Sequence, residues 1–211
     1  MSARIVFVGP SLRPPRPSSP EVQYRDPAAR GDLLRAAEAG AHVIGLVDGV
    51  FHQDLAVSPS EVRTAARMGA RLFGGASLGA LRACECPNDM CGVGEIWAAF
   101  SQGALTDDDE VAVTFVPDSF SVVAYPLVQV RETARLIALQ YPRCHALAVQ
   151  FVDAIRARPF QDRTLATIHR ASEGLRCAGV PWEQIESWMT DAISDIKRRD
   201  ALAVFKAVVE A

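Results

Sequence analysis

Lysine is scarce in this sequence, which limits the side chains that can act as a base. Of the 22 basic residues only Lys197 and Lys206 are lysines, and arginine cannot accept a proton because its guanidinium stays protonated. The histidines do not supply the Ser, Asp, His order of the α/β-hydrolases, since none lies near the end of the chain. A serine nucleophile here would therefore depend on one of few bases. The four histidines are His42, His52, His145 and His169.

The sequence also lacks the features of a membrane protein or a nucleic-acid-binding protein. No apolar run approaches the roughly 18 residues that a membrane span requires, and the apolar stretch in the opening MSARIVFVGP is too short for a secretory signal. A formal net charge of -3 gives no excess of basic residues for a polyanionic partner. We therefore expect a cytoplasmic protein that binds neither a membrane nor a nucleic acid.

Cysteines are few and odd in number. Five occur in a chain without a recognisable export signal, which argues against a disulfide framework and predicts reduced thiols. Cys84, Cys86 and Cys91 form a C-x-C-x4-C cluster, but no second pair with the spacing of zinc ligands accompanies it. The sequence therefore predicts no metal site and leaves the role of this cluster open.

Short apolar strands alternate with helical stretches in the first half of the chain. Residues 3–8 and 42–47 are typical of buried strands, and the stretch GDLLRAAEAG between them is typical of a helix. Ser58 and Pro59 favour the start of a helix that ends before Gly69, and ARLFGG is typical of a third strand. This alternation predicts an α/β fold with a mostly parallel sheet covered by helices.

The second half of the chain has a different pattern. From about residue 125, long helical stretches follow one another and are separated by prolines. We therefore expect two parts, an α/β core over residues 1–124 and a helical C-terminal part over residues 125–211 that packs on it. Residues 12–30 contain five prolines and few apolar side chains, which predicts a loop.

The stretch Gly75-Ala76-Ser77-Leu78-Gly79 matches the G-x-S-x-G pattern, with a predicted strand before it and a predicted helix after it. In that context the glycines relieve crowding around a strained serine, and the helix N-terminus faces the oxyanion formed when the hydroxyl attacks a carbonyl. The same residues would also suit a serine that is only small enough for a strand and a helix to pack closely. The pattern leaves both interpretations open.

Further candidate site residues lie around this turn and at a neighbouring strand end. Asp48 and Gly49 follow the second strand at its carboxyl end, where α/β sheets form their binding crevices. The acidic run Asp107–Glu110 is a solvated turn, a strand entry that holds an arginine such as Arg82, or a docking surface for a basic partner. The predicted substrate-binding set is Asp48, Gly49, Gly75, Leu78, Gly79 and Arg82.

Six stretches spread over most of the chain form a specific ensemble. They are VFVGPSL, GLVDGVF, AVSPSEVRTAARMGARLFGGASLGALRACE, GVGEIWAAF, GALTDDDEVAV and IKRRDAL. Together they resemble the TfuA-like family, whose members occur beside YcaO enzymes of ribosomal-peptide modification. The resemblance implies an α/β fold and a role in thioamide formation, in which sulfur replaces an amide oxygen of a peptide backbone.

The resemblance also implies a serine-lysine pair that releases sulfur from the thiocarboxylated C-terminus of a ThiS-like carrier protein. The serine corresponds to Ser77. The lysine corresponds to Lys197 in the late motif KRRDA, where the residues alone favour a solvated lysine on a helix face. The implied partners are the carrier, a YcaO enzyme that uses ATP and its precursor peptide, and no metal or organic cofactor is implied.

Two other functions stay open at this point. One is a small-molecule serine esterase or thioesterase, and the other is a non-catalytic docking protein for YcaO and its peptide. A lysine amine within roughly 2.6 to 3.2 Å of the Ser77 hydroxyl would favour catalysis over docking.

Overall fold

A five-stranded parallel sheet confirms the α/β class predicted from the alternation of strands and helices. The computed structural model describes residues 3–50 and 55–211, and the strand order in its sheet is β2, β1, β3, β4, β5. Because the pairings are parallel, the carboxyl ends of the strands meet at one edge, where α/β folds form their sites. The strands are β1 (Ala3–Phe7), β2 (Val22–Arg25), β3 (Ala41–Leu46), β4 (Arg71–Gly75) and β5 (Cys91–Val93).

The prediction of a loop over the whole of residues 12–30 was wrong, because four of these residues form the edge strand β2. Its four residues pair in parallel with β1, from Arg4 opposite Val22 to Phe7 opposite Arg25. The prolines on both sides of this short strand favour a loop in the sequence pattern. They are compatible with an edge strand, because the outer N–H groups of such a strand need no partner in the sheet. The prediction fails because β2 is fixed by its pairing with β1, not by a pattern of its own.

Three helices connect strands of the sheet, and a fourth follows β5. The predicted start of the second is confirmed, because the Ser58 hydroxyl accepts the N–H of Glu61 at 3.2 Å and Pro59 occupies the first turn. The buried Glu61 carboxylate in turn accepts the N–H of Leu33 at 3.0 Å, which joins the first two helices. The helices are α1 (Asp32–Glu38), α2 (Pro59–Arg67), α3 (Leu78–Glu85) and α4 (Glu95–Ser101).

The two faces of the sheet carry separate apolar cores. Ile5 and Phe7 of β1 belong to one core with side chains of α1, α2 and α3, whereas Val6 belongs to the other. This division follows from the period of two along a strand, which sends neighbouring side chains to opposite faces. Both faces are therefore covered by helices, as the fold class requires.

The last helix, α10 (Ile196–Glu210), covers the second face. Val204 and Val208 pack directly over Gly45. A Cβ built on Gly45 would lie 3.0 Å from a methyl group of Val204 and 2.9 Å from one of Val208. At the far end of α10, the carbonyl of Ala211 accepts a hydrogen bond from Arg71, the first residue of β4. The helix therefore runs antiparallel to β4, and its first turn reaches the carboxyl edge of the sheet.

The second unit of the chain, Asp107–Ile196, is mostly helical. Its core includes Leu127, Ile137, Phe151 and Ile155. Within the described part of the chain, no helix is long and apolar enough to cross a membrane. The elements of this unit are the antiparallel pair β6 (Thr114–Val116) and β7 (Ser121–Ala124), and the helices α5 (Leu127–Gln140), α6 (His145–Arg156), α7 (Leu165–Ala171), α8 (Glu173–Cys177) and α9 (Trp182–Thr190).

The division of the chain differs from the expected boundary after residue 124. The first unit consists of the residues before Asp107 together with Lys197–Ala211, so that the chain returns to the α/β core at its end. A helical pattern shows which side of α10 is apolar but not which core that side covers. The return of α10 is the feature that places a late lysine in the same unit as Ser77.

Candidate active site

Ser77 lies on a strained turn between β4 and α3. Its N–H donates to the carbonyl oxygen of Gly75 at 2.7 Å, which closes a three-residue γ-turn around Ala76. Ala76 has a φ of 62°, a left-handed conformation that costs free energy in a residue with a side chain. Such strain is concentrated at functional sites, and here it fixes the backbone that carries the Ser77 hydroxyl.

Close backbone contacts explain the glycines around Ser77. A Cβ at Gly79 would lie 1.8 Å from the carbonyl oxygen of Leu46, and one at Gly75 would lie 2.4 Å from that of Val93. The N–H of Gly79 donates to the carbonyl of Val47 at 3.2 Å, so α3 begins directly against the end of β3. The glycines therefore allow a strand and a helix to pack closely. The same stretch also contains the strained turn at Ser77, so both features expected of the motif are present together.

The structure brings Lys197 to Ser77 across 120 residues of sequence. The Nζ atom of Lys197 lies 2.9 Å from the Oγ atom of Ser77, and the two residues are 4% and 5% exposed. This distance falls within the range in which an amine and a hydroxyl exchange a proton. Ser77 is also the N-cap of α3, so the amide of Leu78 occupies a helix position whose N–H has no acceptor within the helix.

Asp200, one turn after Lys197 in α10, was not predicted as a site residue. Its buried carboxylate accepts the N–H groups of Glu95 and Ile96, at 2.8 Å each, at the start of α4. Burial raises the pKa of Asp200 to about 6, although these two N–H donors act in the opposite direction. The signal in the sequence was the spacing of Lys197 and Asp200 by three residues, which places both on one side of a helix.

Asp48 lies at the carboxyl end of β3, as its position in the sequence predicted. Its buried carboxylate accepts the N–H groups of Gly9 and Ser11 at 2.8 and 3.0 Å and the Ser11 hydroxyl at 2.6 Å. These bonds hold the loop after β1 in place beside β3. The observed role of Asp48 is to fix the backbone at this edge of the sheet, and its substrate-binding role stays a prediction.

The other predicted substrate-binding residues make contacts within the fold. The buried Leu78 side chain packs directly against Gly49. A Cβ at Gly49 would lie 2.1 Å from Leu78 Cδ2, so position 49 has no room for a side chain. Arg82 donates to the carbonyl of Val57 and to the carboxylate of Glu85. These contacts hold α3 against its neighbours, and a direct role of these residues toward a substrate stays a prediction.

The clustered cysteines each find a partner within the protein. The thiol of Cys84 donates to the carbonyl of Trp97, and that of Cys86 to the carbonyl of Pro59. Burial raises the pKa of both thiols, which favours their neutral form. Residues 3–50 and 55–211 contain no group of three or more potential metal ligands. Among the histidines, His52 lies outside the residues that the structure describes.

The acidic run is held by arginines of its own unit. Asp109 accepts a hydrogen bond from Arg163 at 2.5 Å, and Glu110 forms a bidentate pair with Arg131 at distances between 2.6 and 3.2 Å. Arg82, which the sequence suggested as the partner, pairs with Glu85 instead. Of the alternatives left open for the run, the structure shows arginine partners, but Arg82, the example suggested by the sequence, is not one of them because these pairs join distant residues.

Comparison with known proteins agrees with the resemblance inferred from the six stretches. A family model described as TfuA-like protein matches residues 48–164, more than half of the chain. The matched range contains Ser77 and ends before Lys197. None of the curated proteins compared with the chain matches it.

Proposed function

We propose that this chain, which belongs to the TfuA-like family, is a serine-lysine hydrolase that releases sulfur from the thiocarboxylated C-terminus of a ThiS-like carrier protein. The released sulfide would serve a YcaO enzyme in the thioamidation of a precursor peptide. The observation that carries this proposal is the buried contact of 2.9 Å between Lys197 Nζ and Ser77 Oγ. The family resemblance supplies the substrate and the partners.

In the first step, Ser77 attacks the carbonyl carbon of the thiocarboxylate. In this mechanism Lys197, which is 4% exposed, acts as a neutral amine and accepts the hydroxyl proton as the new C–O bond forms. The Leu78 N–H at the start of α3 would stabilise the oxyanion. The C–S bond then breaks, the Lys197 ammonium returns its proton to the leaving sulfur, and an ester of Ser77 remains.

In the second step, water hydrolyses this ester. The neutral Lys197 amine accepts a proton from the attacking water, and the same proton is returned to Ser77 Oγ as the C–O bond of the ester breaks. The carrier leaves with an ordinary carboxylate in place of its thiocarboxylate. One water is consumed and one hydrogen sulfide is formed for each carrier, so the reaction needs no oxidant or reductant.

A non-catalytic docking protein is the second candidate function. The tight contacts at Gly75 and Gly79 explain a small residue at position 77 without any chemistry. Docking alone, however, gives no reason to bury an amine against a hydroxyl, because removing an amine from water carries a desolvation cost. The proximity of Lys197 therefore supports hydrolysis as the first candidate.

Sulfide release from a thiocarboxylated carrier tests the proposal directly. The purified chain should release sulfide and convert the carrier mass from the thiocarboxylate to the carboxylate. Ser77→Ala should retain the fold, because loss of one hydroxyl leaves little cavity, and should lower the rate by roughly 10³-fold or more. Release by Ser77→Ala at the rate of the parent chain would refute the nucleophile and leave the docking function.

A further inference from the structure

Asp200 connects the helix that carries Lys197 to the end of the neighbouring strand β5. Its two carboxylate oxygens each accept one N–H at the start of α4, from Glu95 and from Ile96, at 2.8 Å. The side chain thus caps α4 from a different helix, and we call these two hydrogen bonds the Asp200 cap. Because Asp200 lies one turn after Lys197, the cap fixes the first turn of α10 at the carboxyl edge of the sheet.

The backbone at the end of β5 is shaped to receive this carboxylate. Gly94 has a φ of 99°, and a Cβ built on it would lie 2.3 Å from Asp200 Cγ. A side chain at position 94 would therefore displace Asp200 and would also strain the turn. The absence of a side chain at Gly94 leaves room for the Asp200 carboxylate. Asp200 itself is 2% exposed.

We propose that Asp200 is the positioning residue for Lys197, holding its amine at the Ser77 hydroxyl, and that protonation of Asp200 releases this alignment. The inference rests on the proposed roles of Ser77 and Lys197 and goes beyond them by assigning a third residue and a dependence on acid. A displacement of about 1 Å in a reacting group lowers a rate by roughly 10²-fold, so small movements of α10 are sufficient.

The charged groups around Asp200 make its protonation accessible. The pKa of Asp200 is raised to about 6, chiefly by burial and also by the Glu95 side chain on α4, while the N–H groups of Ile96 and Glu95 and the charge of Arg199 on α10 act in the opposite direction. At pH 8 the carboxylate is ionised and accepts both N–H groups. Below about pH 6 one oxygen carries a proton and becomes a poorer acceptor, so the Asp200 cap weakens while the surrounding core stays intact.

Labelling of Ser77 with a fluorophosphonate tests this proposal without the carrier substrate. The full chain, Asp200→Asn and Asp200→Ala are labelled between pH 5 and pH 9, with Lys206→Gln on the exposed side of α10 as the matched control. Asp200→Ala should slow labelling by roughly 10- to 100-fold, and Lys206→Gln should not change it. Below about pH 6 the labelling rate should fall more in the parent chain than in Asp200→Asn, in which position 200 no longer titrates.

Reductive methylation gives a second measurement that does not depend on Ser77. The chain has only two lysines, so that Lys206, which is exposed, serves as the internal reference for the buried Lys197. Methylation of Lys197 relative to Lys206 should rise at least several-fold in Asp200→Ala. Unchanged labelling together with unchanged methylation would overturn the positioning role. A parent chain that is not labelled, but whose Lys197 becomes reactive in Asp200→Ala, would refute the Ser77 nucleophile and keep the positioning role.

Discussion

The two units of the chain each bury a basic side chain, and the two side chains make different hydrogen bonds. In the second unit Arg163 is fully buried, and its guanidinium donates to the Asp109 carboxylate and to the carbonyls of Asp109 and Arg158. In the first unit Lys197 is 4% exposed, and its amine meets the Ser77 hydroxyl. The guanidinium donates to a carboxylate, and the amine lies 2.9 Å from the hydroxyl of a potential nucleophile.

This difference follows from the chemistry of the two side chains. Arginine stays protonated in proteins, so a buried guanidinium requires a negative partner, and Arg163 is suited to a structural ion pair. A lysine amine can become neutral on burial, which makes it available as a base. The buried carboxylates differ in the same sense, because Asp48 and Asp200 of the first unit are held by N–H groups and a hydroxyl, whereas Glu110 is held by Arg131.

Exchange of Lys197 for arginine tests the comparison most strongly. Lys197→Arg keeps a basic side chain at this position but cannot accept the Ser77 proton, so sulfide release from the thiocarboxylated carrier should fall by roughly 10³-fold, as far as in Lys197→Ala. Lys206→Arg is the matched control on the same helix and should release sulfide at the parent rate. Near-normal release by Lys197→Arg would show that the buried amine is not the base.

Removal of the Asp109 carboxylate tests the structural half of the comparison. Asp109→Ala leaves the guanidinium of the fully buried Arg163 without its carboxylate, which should lower the free energy of unfolding by about 2 to 3 kcal/mol. The matched control is Asp107→Ala, which breaks the Arg156 pair, and both of those side chains are about half exposed. Its cost should stay below about 0.5 kcal/mol. Urea unfolding measures both, and equal costs would contradict a special role for the buried arginine.

Local patterns in the sequence predicted the elements around Ser77. The apolar runs, the Ser58 cap and the glycines of the G-x-S-x-G stretch each act within a few residues, so β1, β3, β4, α2 and the turn followed from nearby sequence. The short edge strands β2 and β5 did not follow, because they are defined by their pairing with β1 and β4.

Contacts between distant residues were the part that local patterns could not predict. Nothing near Lys197 indicates that α10 returns to the sheet, since that depends on the fit of Val204 and Val208 over Gly45. Only the family resemblance directed attention to this lysine. Asp200 was missed for the same reason, because its partners are the N–H groups of a helix about 100 residues earlier.

The smallest expected effect is the change with pH in the contribution of Asp200 to the free energy of unfolding. Its pKa is raised to about 6 in the folded chain, whereas an aspartate in the unfolded chain titrates near about 3.9, so the folded state binds this proton more tightly. The stabilising contribution of the proton is therefore fully present below about pH 3.9 and is lost as the pH rises through about 6.

Asp200→Asn removes this titration, and the free energy of unfolding of the parent chain relative to the variant should fall by about 2 kcal/mol between pH 4 and pH 7. Any constant cost of the asparagine shifts all points equally and leaves this slope unchanged. Urea unfolding at one-unit steps of pH measures the slope. A difference that rises with pH would mean that ionised Asp200 stabilises the fold as the ion-paired carboxylates of the second unit do, and the contrast between the two units would fail at this residue.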